Sequence, residues 1–484
     1  MDSTRPSVEA QGNGRPRSLA DLPGPRGIPV LGNALALKPG QVHTVVEEWA
    51  RRYGNFFRFR IGARRILGVA DPQAIQAVLK DRPDTFLRTA RLVSVGREIG
   101  LTGLFFANGD AWRRQRRMVM SAFDPGHVKR YFPSLEKVTG RLQRRWREAA
   151  YAGRDIPLQP DLMRYTVDVT AGLAFGTDIN TLESTREVIQ EHLDQVLPMV
   201  SRRLIAPFTY WRAVRLPADR RFDQHLREIH RAIGEFISQA RQRLDADPAL
   251  RASPSNLIEA MIAARDDGDS GLTDDDVAGN VFTMLLAGED TTANTLAWLI
   301  YLLGRNPQAL HMAREEAVQA LAGGSRPTQF EQTNAMPYLQ ACIDETMRLK
   351  PVAPMIFVQV GRDTTVGDVA VPEGSLLALL MRCGPLDERY FPDATRFDPA
   401  RWSDAARPEA EQSPAKRLSM PFGAGPRLCP GRYLALLEIK MVMSMLLASF
   451  DLERVEGLDG REVRERMDFT MAPAPLRMRL KLRA

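Results

Sequence analysis

Residues 421–431 read Pro421-Phe422-Gly423-Ala424-Gly425-Pro426-Arg427-Leu428-Cys429-Pro430-Gly431, and an apolar stretch follows at once. Gly423 and Gly425 permit positive φ and a close approach of the backbone to a flat ligand. Pro430 suits the first position of a helix running to Phe450, which puts Cys429 near its N-cap. The unpaired N–H groups and the dipole at such an end favour thiolate over thiol. A lone cysteine is more often an inert apolar side chain. A packing cysteine, however, needs no glycine-lined, arginine-bearing loop before it.

The surrounding composition is that of an ordinary globular protein. Of 484 residues, 44% are hydrophobic and 26% charged, and the length alone allows about three domains of roughly 150 residues. Lys+Arg 66 against Asp+Glu 59 leaves a net charge of +7. That excess raises nucleic acid, an anionic membrane or an acidic protein as partners. A solvated basic surface is the plainer reading of so mild an excess, and no nucleic-acid partner is expected. Cys342, Cys383 and Cys429 include no close pair, which excludes a disulfide framework or cysteine-rich zinc site and suits a reducing cytosol. Residues 1–20 are polar and Gly/Pro-rich. They lack the apolar core of a secretory signal and the run of about 20 apolar residues of a membrane anchor. The expectation is a disordered leader over 1–20 on a cytoplasmic protein, with 21–484 forming a single domain.

Outward from the loop, helical periodicity dominates. It predicts helices over Val42–Tyr53, Asp110–Ser121, Ser134–Ala150, Asp161–Phe175, Asp219–Leu244, Asp274–Leu303, Pro307–Leu321, Pro337–Leu349 and Arg432–Phe450. Period-two alternation predicts a hairpin from Phe57–Ile61 and Ile66–Val69, and later strands over Thr365–Val371, Ser375–Leu380 and Leu476–Leu482. The fold class is mainly α with small β-sheets (α+β), with no internal repeat.

Three further constellations stand out. Glu345 and Arg348 lie three apart on one helix face and can pair, a weak signal alone. Trp112 and Arg116 lie four apart on another; indole and guanidinium are donors without acceptors, suited to carboxylates. Within the long helix, Ala287-Gly288-Glu289-Asp290-Thr291-Thr292 is polar between two apolar stretches. Buried acids are costly unless paired or functional, although a helical threonine often bonds back to its own carbonyl.

The cysteine loop resembles the haem-binding signature of the cytochrome P450 family, Phe-x-x-Gly-x-Arg-x-Cys-x-Gly, at Phe422, Gly425, Arg427, Cys429 and Gly431. The other constellations resemble further motifs of that family in order and spacing, from about Pro23 onward. The resemblance implies a single-domain P450 fold, a long central helix over haem b, and Cys429 as the iron ligand. It also implies Thr291 and Asp290 as the oxygen-activation pair, and a structural cluster of Glu345, Arg348 and Arg401, with Arg396 as rival for the third place. Trp112 and Arg116 would bind one haem propionate. Relatives often carry a basic residue on the strand after Glu345–Arg348, but Val352–Gly361 has none, leaving Arg427 to the second propionate alone.

The implied activity is monooxygenation of a lipophilic small molecule by hydroxylation or epoxidation, with O2 as co-substrate and electrons ultimately from NAD(P)H. No dinucleotide fingerprint or flavin domain is visible, so an acidic ferredoxin or flavodoxin with its reductase is the expected donor. Its docking face would gather Arg113, Arg114, Arg117, Lys416 and Arg417. The pocket walls implied are Leu92–Phe106, Leu193–Tyr210, Phe282–Leu286, Val352–Phe357 and Phe469–Ala472. A peroxide-using relative would lack the Asp290–Thr291 pair. A haem carrier would need neither that pair nor a basic docking face.

Overall fold

The computed structural model describes residues 16–483 except 124, 185–188, 207, 268–269 and 404–416; the side chains of 121, 122, 125 and 127 also lie outside it. The first half carries α1 (Val42–Tyr53), α2 (Pro72–Lys80), α3 (Ala90–Glu98), α4 (Gly109–Ala122), α5 (Pro125–Tyr151) and α6 (Leu158–Phe175). Then come α7 (Ile189–Leu193), α8 (Val196–Ile205), α9 (Pro217–Ala246), α10 (Ala249–Ala252) and α11 (Leu257–Asp266). The rest are α12 (Asp274–Arg305), α13 (Pro307–Ala320), α14 (Phe330–Asn334), α15 (Pro337–Leu349) and α16 (Arg432–Ser449).

The centre of the fold is α12, and its start is written in its first four residues. Thr273 Oγ1 accepts from the Asp276 N–H at 3.1 Å, while the Asp276 carboxylate accepts from the Thr273 N–H at 2.9 Å. Asp274, Asp275 and Asp276 occupy the positive end of the dipole. At about 1.5 Å per residue the helix crosses the whole domain. It separates two apolar cores. One joins α5, α6, α13, α15 and α16; the other joins α3, α4, α6, α8, α9 and α11. Gly288 lets α6 close on the helix midpoint, since a Cβ there would lie 2.4 Å from Thr170 Oγ1. The neighbouring Thr166 hydroxyl donates to the Glu289 carbonyl at 3.1 Å.

The strands are β1 (Arg17–Ser18), β2 (Phe56–Ile61), β3 (Arg64–Val69), β4 (Phe86–Leu87), β5 (Ile156–Pro157), β6 (Met355–Val360) and β7 (Thr364–Val366). They continue as β8 (Val369–Val371), β9 (Leu376–Leu380), β10 (Phe450–Gly457), β11 (Glu465–Met467), β12 (Met471–Pro473) and β13 (Leu476–Leu482). The largest sheet runs β2-β3-β9-β6-β4. In its antiparallel β2–β3 pair Phe57 faces Gly68, and a Cβ on Gly68 would lie 2.3 Å from the Phe57 ring. That glycine sets the spacing of the hairpin.

Several expected boundaries shift for identifiable reasons. The leader ends earlier than residue 20: Arg17 and Ser18 pair in parallel with Val369 and Ala370, and Arg17 grips Asp368 through two bonds of 2.8 Å. A polar two-residue edge strand has no periodicity to betray it. Residues 1–15 of the leader lie outside the described residues. Helix α5 begins nine residues before the expected Ser134 and runs through Pro133, a residue that reads as a helix start rather than an interior position. The span Thr365–Val371 is a hairpin, β7 and β8 in antiparallel register, not one strand. Pro430 is not the first helical residue: Gly431 is the N-cap and α16 starts at Arg432.

Candidate active site

A cavity of about 1220 Å³ lies between the midpoint of α12 and the loop before α16. Cys429 lines it, together with Phe422, Arg427 and Gly431 from its own loop, Trp112 and Arg116 from α4, and Thr291 and Thr292 from α12. Each expected wall contributes, with Leu92, Phe106, Leu197, Met284, Ile356 and Phe469 among the lining side chains.

The cysteine loop is shaped by its glycines. Gly423 and Gly425 have φ of 75° and 68°. At Gly425 a Cβ would also lie 2.5 Å from the Leu79 carbonyl oxygen at the end of α2, so no other residue fits. The turn closes when the Cys429 N–H donates to the Phe422 carbonyl at 3.0 Å. At Gly431 the space a Cβ would take is open. The helix end does not dominate the surroundings of the Cys429 thiol. Burial pushes it up, against smaller pulls downward from the Gly431 N–H, Arg116 and Arg432. The thiol sits two residues outside the helix cap, where the end of the dipole is weak.

Around the rim stand cations without anions. Arg82 is buried, with Nε and Nη2 making no hydrogen bond, and burial pushes its guanidinium down to about 10. Arg427 is pushed down to about 9 by burial and by Arg82 and Arg116; its Nε also lacks a partner. Arg88 is driven well below the usual arginine range by burial, Arg82 and Arg427. Burial likewise lowers Arg116. Among the described residues none of the four pairs with a carboxylate. Arg427 does spread over the Trp112 ring at 4.9 Å and donates to the Ala107 carbonyl at 2.7 Å. Several buried, mutually repelling charges are costly without counter-charge. A flat ligand bearing two carboxylates supplies it, and haem b fits that donor set.

Arg82 and Arg88, which the sequence reading did not single out, share the cavity lining with Arg427. They flank β4, in a segment with no periodic pattern, and charged neighbours such as Lys80, Asp81, Asp84 and Arg91 leave nothing in the sequence to single them out. Gln359 is occupied elsewhere, accepting from the Ala90 N–H at 2.9 Å at the start of α3.

On the opposite wall, the Thr291 hydroxyl donates to the Ala287 carbonyl at 2.8 Å. Its proton is spent inside the helix, and its lone pairs stay open to the cavity. Asp290 Oδ1 accepts from Asn294 Nδ2 at 2.9 Å, and Oδ2 accepts from the Thr470 hydroxyl. Burial pushes the Asp290 carboxyl up, against those two donors. Thr470 belongs to a loop whose Asp468 carbonyl accepts from Ser201 of α8 at 2.7 Å. Neighbouring Glu289 is buried, and burial raises it well above the carboxylate range, with Asp194 and Asp290 adding to the rise.

A family model for cytochrome P450 matches residues 22–480. The chain belongs to the cytochrome P450 family. This P450 is 28% identical to cyclooctatin synthase of Streptomyces melanosporofaciens, over 94% of each chain. It is 28% identical to cyclooctat-9-en-7-ol 5-monooxygenase of the same organism, over 92% of this chain and 91% of the relative. It is 26% identical to pentalenene oxygenase of Streptomyces avermitilis, over 95% and 96%. It is a monooxygenase of lipophilic small molecules, with haem b as cofactor, O2 as co-substrate and electrons passed from NAD(P)H through redox partners. No helix among its described residues is long and apolar enough to cross a membrane.

Away from the cavity, Glu345 and Arg348 are fully buried and joined by two bonds of 2.8 Å. Arg348 Nη1 also donates to the Pro385 and Ala394 carbonyls at 2.6 and 2.7 Å. Arg401 lies 3.4 Å from Glu345, whereas exposed Arg396 pairs with Asp393 and Asp398. Trp402 and the Asp398 N–H complete the carboxylate's shell at 3.0 and 2.9 Å. The residues expected at a docking face differ in their surroundings. Arg113 is taken up by Asp84 and Asp110, Arg114 lies against Gly271, and Lys416 falls outside the described residues.

Proposed function

We propose that Cys429 is the iron ligand of this P450 and that Arg82, Arg88, Arg116, Arg427 and Trp112 hold the haem propionates. Phe422 and Gly431 line the haem seat, and Asp290 and Thr291 manage protons above it. The observation that supports this most directly is a single cavity taking in the cysteine, four cations without counter-anions and the polar midpoint of α12. Haem b bound there supplies the centre that activates O2, so that one oxygen atom enters the substrate by hydroxylation or epoxidation and the other leaves as water.

The side chains divide the remaining work. The arginines orient the cofactor through its carboxylates with charge-assisted bonds. Thr291 accepts a hydrogen bond from a water molecule in the cavity and so fixes that water beside its own helix turn. Asp290, raised by burial, exchanges a proton nearer neutrality than an exposed aspartate does, as a positioned acid–base group requires. We read the electron donor as an acidic ferredoxin or flavodoxin with its reductase, and the compartment as the cytoplasm. The net charge of +7 favours the first, and three unpaired cysteines suit the second. Glu345, Arg348 and Arg401 hold the fold of the cysteine-loop side.

The test is Cys429→Ser, which exchanges a soft sulfur donor for a poor oxygen ligand. The reduced carbon monoxide complex should lose its thiolate band; retention of the wild-type band would show that Cys429 is not the ligand. Oxygen consumption with a surrogate reductase should depend on added substrate, which separates an enzyme from a haem carrier.

A further inference from the structure

The signature that marks the propionate site, cations lining a cavity without anions, recurs elsewhere in the lining of the same cavity. Arg64 at the start of β3 and Arg91 on α3 both line it. Both are half-buried, and their guanidiniums converge on one oxygen, the Ala206 carbonyl just past α8. Arg91 Nη2 donates to it at 2.8 Å and Arg64 Nη2 at 3.4 Å. Arg91 also donates through Nε and Nη2 to the Arg203 carbonyl at 3.0 and 2.6 Å, and Arg64 Nη1 to the Leu204 carbonyl at 3.4 Å. None of these bonds uses Arg91 Nη1 or Arg64 Nε.

The acids nearby are already engaged. Glu98 accepts from Trp211 Nε1 at 2.7 Å and from Arg212 Nε at 2.8 Å. Asp468, in the cavity lining, pairs with Arg466 at 3.2 Å. Glu438, also in the lining, is on the helix after Cys429. Of the other cations here, Arg212 is neutralised by Glu98 and Arg202 spreads over the Tyr210 ring at 5.5 Å. The helix end that Arg64 and Arg91 touch contributes only about half a negative charge, against two full positive ones. Burial lowers both guanidiniums; Arg91 falls to about 10 through burial, then Arg64 and Arg212, against a smaller upward pull from Glu98. Ser94 and Thr209 are in the same lining and offer neutral hydroxyls.

We propose that Arg64 and Arg91 form an anion-binding site in the cavity wall beside the end of α8, which takes the head group of an amphiphilic substrate whose apolar body points toward Thr291. This rests on the monooxygenase reading and narrows it. The natural substrate carries a carboxylate or phosphate at one end and reacts at carbon remote from it. That is unlike the hydrocarbon and alcohol in the names of two of its relatives.

The experiment compares dodecanoate, dodecyl phosphate and dodecan-1-ol by equilibrium dialysis against the holoenzyme at low ionic strength. The variants Arg64→Gln and Arg91→Gln are run alongside. An anion gaining a charge-assisted bond should bind about tenfold or more tightly than the alcohol, and that ratio should collapse toward one in both variants. Which anion gains more identifies the head group. Because the ratio is taken within each variant, a general loosening of α8 in Arg91→Gln cancels out. Equal binding of anions and alcohol to the wild type overturns the proposal, as does a preference that survives both substitutions. The thiolate band of the same samples reports separately on the function: a missing band indicts that reading, a present band with no anion preference indicts this one.

Discussion

At the scale of single residues, two buried carboxyls predict opposite behaviour. Glu345 is fully buried but surrounded by donors: Arg348 twice, Trp402 and the Asp398 N–H, with Arg401 at 3.4 Å. Removing one partner of such a pair costs about 3–5 kcal/mol, so Glu345→Ala and Arg348→Ala should give little folded holoprotein. Arg401→Ala should cost less, and Arg396→Ala should leave the thermal midpoint unchanged; equal damage from Arg396→Ala would refute the assignment. Glu438 is the contrary case. It is buried with Oε2 unpartnered, and desolvation alone raises it well above the ordinary carboxylate. The unfolded carboxyl ionises near pH 4.3, about where model peptides do, while the folded one stays protonated. The folded state then binds the extra proton, and stability falls as pH rises from the unfolded value toward the folded one. Glu438→Gln should match the wild type in acid and gain on it as pH rises. A thermal midpoint difference that ignores pH would mean the carboxyl is not buried as seen. This scale was only partly legible in sequence. Cys429 and Glu345 stand in dense local motifs, whereas Arg82 and Arg88 reach the rim through tertiary packing that no spacing encodes.

At the scale of elements, long amphipathic helices were the easiest to read. Val42–Tyr53 and Pro337–Leu349 have the expected bounds, because a continuous apolar stripe and a Gly or Pro at the ends leave little freedom. Short helices such as α2, α3 and α8 escaped, since nine or ten residues give too few turns for a period to emerge. On α12 the open question is which hydroxyl does what. Thr291 and Thr470 both line the cavity, and Thr470 reaches Asp290 from a separate loop. Thr291→Ala should retain haem and substrate binding but lose electrons as hydrogen peroxide, measured as product formed per NAD(P)H consumed. A test substrate without its own hydroxyl is needed, because such a group could stand in for the missing one. Thr470→Val should instead stay coupled. Losing that donor raises the Asp290 carboxyl further, so the pH at which turnover responds to its ionisation should move upward. Full coupling in Thr291→Ala on a tightly bound substrate would assign the helix midpoint another purpose.

At the scale of the whole molecule, what remains is how electrons find the buried site. The net charge of +7 gives the surface a general attraction for an acidic donor, but attraction alone does not orient it. Arg113, expected to help, is neutralised by Asp84 and Asp110. Exposed Arg117 on α4 and exposed Arg417 carry no such partner among the described residues, and Arg432 sits directly after the cysteine loop, donating to the Cys429 carbonyl at 3.5 Å. Charge complementarity acts chiefly on the association rate, and salt screens it over a Debye length of about 10 Å at 0.1 M. Stopped-flow reduction by an acidic ferredoxin should therefore slow steeply as ionic strength rises. Arg117→Glu and Arg417→Glu should each lower the rate at low salt and flatten its salt dependence. Arg113→Glu should lower it less, because it discharges a pair rather than a free cation. Rates indifferent to salt, or an Arg113→Glu effect as large as that of Arg117→Glu, would place the donor on another face. The asymmetry between the arginines matters more than the overall slope, since any +7 protein attracts acid but only a docking face distinguishes one arginine from its neighbour.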